Sequence, residues 1–139
     1  MSSNAQEFHI KVEGLDLRLK FFRPDEEGWL SVFANVNAGP FTGTYGFSML
    51  GSELEALISE MRSLDHALGA KDASISWENY EGNIELGLSL DLQGTLQGRY
   101  RLAAGLGWET PILSGEFTAD QSYLAGWIQQ LEHVISFVE

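Results

Sequence analysis

The sequence predicts an α+β fold: mostly antiparallel sheet with two amphipathic helices, in the order ββββα followed by ββββα. Three observations carry that prediction. Apolar residues alternate with polar ones in most segments of both halves, the period-two signature of strands. Each half ends in a segment whose apolar residues recur at helical spacing. The two strand-to-helix junctions also resemble each other: at a shift of 70 residues Phe47 falls on Phe117, Ser48 on Thr118, Ser52 on Ser122, Leu54 on Leu124 and Ile58 on Ile128. At a shift of 69, Leu15 to Leu19 meets Ile84 to Leu88. The halves run over 7–69 and 73–139, within a single domain of 1–139.

The elements follow in order. Phe8, Ile10 and Val12 alternate with polar residues, and after Glu13-Gly14 the alternation resumes through Leu15, Leu17, Leu19 and Phe21. Glycine accepts positive φ, so Glu13-Gly14 reads as a tight hairpin turn. Arg23 to Gly28 is a polar connection, because Pro24 has no N–H for an interior ladder. Trp29 to Asn37 is the next strand, with Leu30, Val32, Ala34 and Val36 on one face. Ala38-Gly39-Pro40 turns it into a strand bearing Phe41, Tyr45, Phe47 and Met49 on one side. Phe33 beside Val32 puts apolar bulk on both faces, which predicts a sheet covered on both sides.

Ser52 with Glu55 has the spacing of a capping box, which starts a helix there. Leu54, Leu57, Ile58, Met61, Leu64 and Leu68 form its apolar stripe, and Gly69 supplies the stop. Ser74 to Trp77 and Ile84 to Leu92 are strands joined by the turn Asn79 to Asn83. Thr95 to Leu102 and Thr110 to Thr118 follow, linked by the glycine-containing AAGLGW segment. Asp120 is the expected cap of a last helix with Leu124, Trp127, Ile128, Leu131, Ile135 and Val138 facing the core.

Composition narrows the function classes. The chain has 139 residues, 44% hydrophobic, enough for one packed core and outside the range of disordered chains. Twenty acidic against eight basic residues give a formal charge of −12. That sign repels nucleic-acid backbones and anionic membranes, and it steers a basic partner inward. With no cysteine there is no disulfide, thiolate metal site or cysteine nucleophile. The opening MSSNAQEFHIKVEG lacks the regions of a signal peptide and no apolar run reaches membrane-spanning length, so a soluble, cytoplasmic protein is expected.

No catalytic signature appears. His9, His66 and His133 are scattered, without metal-ligand spacing, and serine elbows and phosphate-cradling glycine loops are missing. Asp25-Glu26-Glu27 lacks the alternating oxygen ligands of a calcium loop and reads as a solvated turn. The expectation is a protein without catalytic residues, cofactor or metal. Tyr80 and Trp108 lie in turn-like segments, where an aromatic beside carboxylates suits contact with a basic partner.

The run from Gly28 to Leu68, GWLSVFANVNAGPFTGTYGFSMLGSELEALISEMRSLDHAL, resembles the WapI family of bacterial immunity proteins. The likeness lies in an N/GWL strand, a hairpin and a helix opening with an acidic, leucine-rich segment. GNIELGLSLDLQGTLQGRYRL and LSGEFTADQSYLAGWIQQLE continue it in the second half. Where the family usually has NWL this chain has GWL, and no common set of binding residues carries over. The resemblance implies a protein that binds a secreted bacterial toxin and so protects the cell. Many such toxins are basic nucleases, so the loop residues Asp25, Glu26, Glu27, Tyr80, Glu81, Trp108 and Glu109 become the first candidates for contact with a cationic toxin domain. Two other classes fit the same pattern: a carrier with an apolar pocket lined by Tyr45, Phe47 and Trp127, and a homodimeric structural module.

Overall fold

The computed structural model describes residues 4–67, 73–105 and 109–139. The fold is α+β, built of two four-stranded antiparallel sheets and two helices. The first sheet is a meander of β1 (Ala5–Val12), β2 (Leu15–Phe22), β3 (Trp29–Ala38) and β4 (Phe41–Leu50), followed by α1 (Gly51–His66). The second repeats the plan with β5 (Ala73–Glu78), β6 (Ile84–Leu90), β7 (Thr95–Ala103) and β8 (Ile112–Asp120), followed by α2 (Tyr123–Val138).

The helices exchange partners. α1 follows the first sheet but packs on β5, whereas α2 follows the second and returns to β1. The helices also pack on each other, so one core holds residues of both sheets and both helices. Burial explains the arrangement: each helix has one apolar stripe and each sheet one apolar face, and burying a large aliphatic side chain is worth about 1.5–3 kcal/mol. Arg62 of α1 meets Glu132 of α2 at 2.9 Å. These two occupy matching positions at the shift of 70.

The repeat is exact in burial along the helices but uneven in register. From Leu54 to Ala67 and from Leu124 to Phe137, buried, half-buried and exposed positions coincide one for one. In the strands, Leu15, Leu17, Leu19 and Phe21 of β2 match Ile84, Leu86, Leu88 and Leu90 of β6, all buried. Rows across the sheets then pair Ile10–Leu17–Val36–Gly43 with Trp77–Leu86–Tyr100–Gly115, and Phe8–Leu19–Ala34–Tyr45 with Ile75–Leu88–Gly98–Phe117. Tyr45, not Phe47, is therefore the counterpart of Phe117, and Phe47 corresponds to Ala119. Chain shift alone misplaced this pair because the path from the matched row to the helix stripe is two residues shorter in the second half, running from Phe117 to Leu124 instead of from Tyr45 to Leu54.

Several local expectations change. α1 begins at Gly51, with extended Leu50 as its N-cap, because β4 runs directly into the helix. The third helical residue is then Glu53, whose carboxylate accepts the Leu50 N–H at 2.6 Å, and Ser52 makes no capping bond. Asp120 stays in the β8 ladder opposite Thr95, leaving Ser122 as the N-cap of α2. Its carboxylate instead accepts the Ser122 hydroxyl at 3.1 Å. Gly69 lies outside the described residues.

The outer face of the first sheet is polar: His9, Lys11, Arg18, Lys20, Asn35 and Thr44 lie there, and Phe33 among them is 45% exposed. Apolar cover thus falls on one face only within the chain. Phe33 shares that face with Phe22, which is 36% exposed, and with the paired Trp29 and Leu50, so apolar groups gather at one end of an otherwise polar face instead of spreading over it.

Candidate functional site

The acidic turns are built before they are available for contact. Asp25 opens the β2–β3 connection, and its carboxylate accepts the N–H groups of Glu27 at 2.9 Å and Trp29 at 3.0 Å. The Asp25 and Gly28 N–H groups complete the turn by donating to the Trp29 and Asp25 carbonyls. Gly28 sits at φ +88°, a region that suits glycine. Asp91 does the same between β6 and β7, accepting from Gln93 and Thr95 at 2.9 Å, with Gly94 at φ +86°. Asp25 is therefore a turn-former, whereas Glu26 and Glu27 project freely as exposed side chains. The signal was in the sequence as a repeated D-x-x-G.

Tyr80 and Glu81 occupy the β5–β6 turn, and Tyr80 is 87% exposed. Two buried asparagines hold this turn. Asn79 accepts the Ile84 N–H at 3.0 Å through its side chain, and Asn83 donates from Nδ2 to the Ala103 carbonyl at 3.2 Å. The Ala103 N–H donates back to the Asn83 carbonyl, tying the roots of the β5–β6 and β7–β8 turns together. Glu109 is exposed in the β7–β8 turn. Tyr80, Glu81 and Glu109 thus share one end of the second sheet; Trp108 lies outside the described residues.

Two residues absent from the toxin-contact candidates tie this end to the first sheet. The Tyr45 hydroxyl donates to the Asn83 carbonyl at 2.8 Å. Burial pushes that hydroxyl far above the ordinary tyrosine range, which keeps it a neutral donor. Glu53 accepts the Tyr80 N–H as well as that of Leu50, and its carbonyl accepts Trp77 Nε1 at 2.9 Å. Neither role is visible in sequence, since both depend on partners far along the chain. The Asp25 turn belongs to the other side of this junction, where Trp29 pairs with Leu50.

Charge is segregated. The strands carry six acidic residues (Glu7, Asp16, Glu78, Glu85, Glu116, Asp120) against five basic ones (Lys11, Arg18, Lys20, Arg99, Arg101). Among the described residues, thirteen acidic and two basic ones fall outside the strands, so nearly all of the −12 belongs to helices, turns and connections. One balanced strand cluster is His9 with Asp16, at 2.6 Å. The hydrogen bond from His9 lowers the Asp16 pKa, with desolvation opposing it and the charge of Arg18 assisting.

Tyr45 and Trp127 line separate grooves, the first beside β4 and the second beside β1. Trp127 is buried edge-on against Phe117, and Tyr45 stacks on Phe47, so these rings do not enclose a shared carrier pocket. Among the described residues no group of three or more metal-ligating side chains is gathered, and no helix is long and apolar enough to cross a membrane.

The immunity protein WapI-like family is matched over residues 1–137. No curated protein matches the chain. Among solved structures, the plant transcriptional regulator PBF-2 superposes with a TM-score of 0.51 at 12% identity, over 99% of this chain and 84% of that one. WHY1 and WHY3 from Arabidopsis thaliana each give 0.50, at 14% and 13% identity, over 99% of this chain and 93% and 90% of theirs. At such identities the likeness is one of fold alone.

Proposed function

The chain belongs to the immunity protein WapI-like family, and from that premise we propose that it neutralises a bacterial toxin by binding it rather than by turning over a substrate. The family match across nearly the whole chain is the observation that carries this reading. The charge distribution supports a cationic toxin domain: exposed carboxylates crowd the turns, and long-range attraction speeds encounter with an oppositely charged partner. Glu26, Glu27, Glu81, Glu109 and the exposed ring of Tyr80 are the contact candidates; Trp108 joins them on sequence grounds. Asp25 acts indirectly, by holding the turn that presents Glu26 and Glu27.

The fold shared with a plant transcriptional regulator transfers no regulatory role at 12% identity. A chain at −12 also repels the phosphate backbone. The protein is expected to act inside the cell that makes it.

Co-expression with candidate basic toxin domains from neighbouring genes tests the proposal. Rescue of growth and a stable complex are expected, and charge reversal at Glu81 and Glu109 should slow association at least tenfold at low salt. Failure to rescue against every such domain, with no complex formed, would defeat it.

A further inference from the structure

The four outer strands of the two sheets are treated differently. At β1, Gln130 of α2 clasps the exposed peptide of His9: its Oε1 accepts the His9 N–H at 2.7 Å and its Nε2 donates to the His9 carbonyl at 3.2 Å. β5 lies under α1. β8 follows Pro111 and carries Glu116 and Asp120, charges of the kind that discourage strand pairing. β4 has none of these protections. Its ten residues, FTGTYGFSML, include no charge and no proline.

The direction of its peptide groups follows from the clasp on β1. His9 faces away from β2, and hydrogen-bonded and non-bonded pairs alternate through the row His9–Arg18–Asn35–Thr44. The N–H and C=O of Thr44 therefore point away from β3, as do those of Thr42 and Gly46. Among the described residues no hydrogen bond from another element reaches these three. Beside this edge runs a groove of about 280 Å³, lined by Phe41 to Tyr45 on one wall and by Ala104, Pro111, Ile112 and Leu113 on the other. Phe41 is 62% exposed and Ile112 49%.

We infer that β4 is a strand-addition site, on which an edge strand of a cationic partner protein pairs antiparallel or parallel and lays apolar residues against Phe41 and Ile112. This rests on the toxin-binding reading and names the surface that would do the binding. Unpaired peptide groups supply the main-chain bonds of β-augmentation, and the apolar wall supplies side-chain selectivity. Charge argues against a second copy as occupant, since two chains at −12 repel each other. It favours a basic strand, because the β5–β6 turn that binds the Tyr45 hydroxyl and the β7–β8 turn beyond Ala104 carry Glu81 and Glu109.

Amide hydrogen exchange and binding on the full chain test this, with two probes: the candidate basic toxin domains, and an acetylated octapeptide alternating lysine and valine. The expected result is at least tenfold slower exchange at Thr42, Thr44 and Gly46 on binding. Thr44→Pro, which deletes an outward N–H, should weaken binding at least tenfold, whereas Thr44→Val and Thr118→Pro on β8 should not. The exchange pattern of the wild-type chain decides the matter even if Thr44→Pro misfolds. A toxin domain that binds and rescues without protecting these amides overturns the strand-addition site and leaves the immunity reading standing. No bound toxin domain, with the peptide protecting the same amides, sinks the immunity reading and upholds the site. Protection by neither probe overturns the site, as does protection that appears with rising protein concentration alone, which would mark a second copy as the occupant.

Discussion

The two halves share a plan and differ in how they fill it. In the first sheet Tyr45 lies opposite Ala34, and Gly43 opposite Val36. In the second, Phe117 lies opposite Gly98 and Tyr100 opposite Gly115. The second sheet has thus moved bulk onto two rings and removed it from the residues facing them. The rings lie over the glycines so closely that a Cβ at Gly98 would enter the Phe117 ring, and one at Gly115 would overlap the Tyr100 hydroxyl. Aromatic cover of a strand glycine restores packing that the missing side chain would have supplied. At Gly43 the same added carbon would meet only Val36 Cγ1, at an ordinary 3.7 Å. Matching positions can therefore have opposite tolerances, which repetition in sequence does not reveal.

The largest expected effect tests that contrast. Gly98→Ala should destabilise the protein by roughly 1–3 kcal/mol, the usual cost of overpacking, because Phe117 is confined between Tyr100 and Trp127. Gly43→Ala should stay within about 0.5 kcal/mol of the wild type, as expected of a substitution that creates no clash. Urea unfolding of both variants provides the comparison; equal losses would mean that the rings over the second sheet are free to move aside.

A smaller effect should be shared by the halves. Asp25→Ala and Asp91→Ala each delete a carboxylate that accepts two backbone N–H groups. Each should cost about 1 kcal/mol, the scale of a lost cap, and the two values should agree within about 0.5 kcal/mol. Asn at either site keeps an acceptor oxygen and should recover most of the loss. Melting temperatures of the four variants measure this, and a null effect at Asp25 alone would return that residue to the freely exposed contact set.

The smallest effect separates the halves again. The His9–Asp16 pair of the first sheet corresponds to Ser76 and Glu85 in the second, which form no such pair. Because the folded-state pKa of Asp16 is lowered, its stabilising contribution is present above the unfolded value of 3.8 and is lost as pH falls through the folded value below it. Asp16→Asn should lower stability near pH 7 by under about 1 kcal/mol, as for other exposed pairs, and flatten the acid limb below about pH 4. Ser76→Ala, at the position matching His9, should leave that limb unchanged. Unfolding curves between pH 2.5 and 7 distinguish the two.

The candidate surface was partly legible before the fold was known. Tyr80 and Glu109 are exposed and Glu81 half-buried, and the three gather at one end of the second sheet, in turns as their composition suggested. Asp25 lies in an exposed acidic turn, as its composition suggested, but the sequence did not show that its carboxylate accepts two N–H groups of its own loop. The uncharged edge of β4 was on view in FTGTYGFSML, yet its meaning depended on which outer strands the helices would cover. Glu53 and Asn83 gave no signal, since their partners lie on other elements.

By itself the sequence determined the order of strands and helices, the core face of each, and an acidic exterior. These follow from period two, period 3.6 and the balance of charges, all local properties of neighbouring residues. Tertiary structure alone decided that each helix crosses to the other sheet, that Gln130 seals β1, and that β4 stays open beside an apolar groove. Those outcomes concern backbone groups and distant surfaces, and side-chain patterning encodes which face is apolar without encoding what will cover an edge.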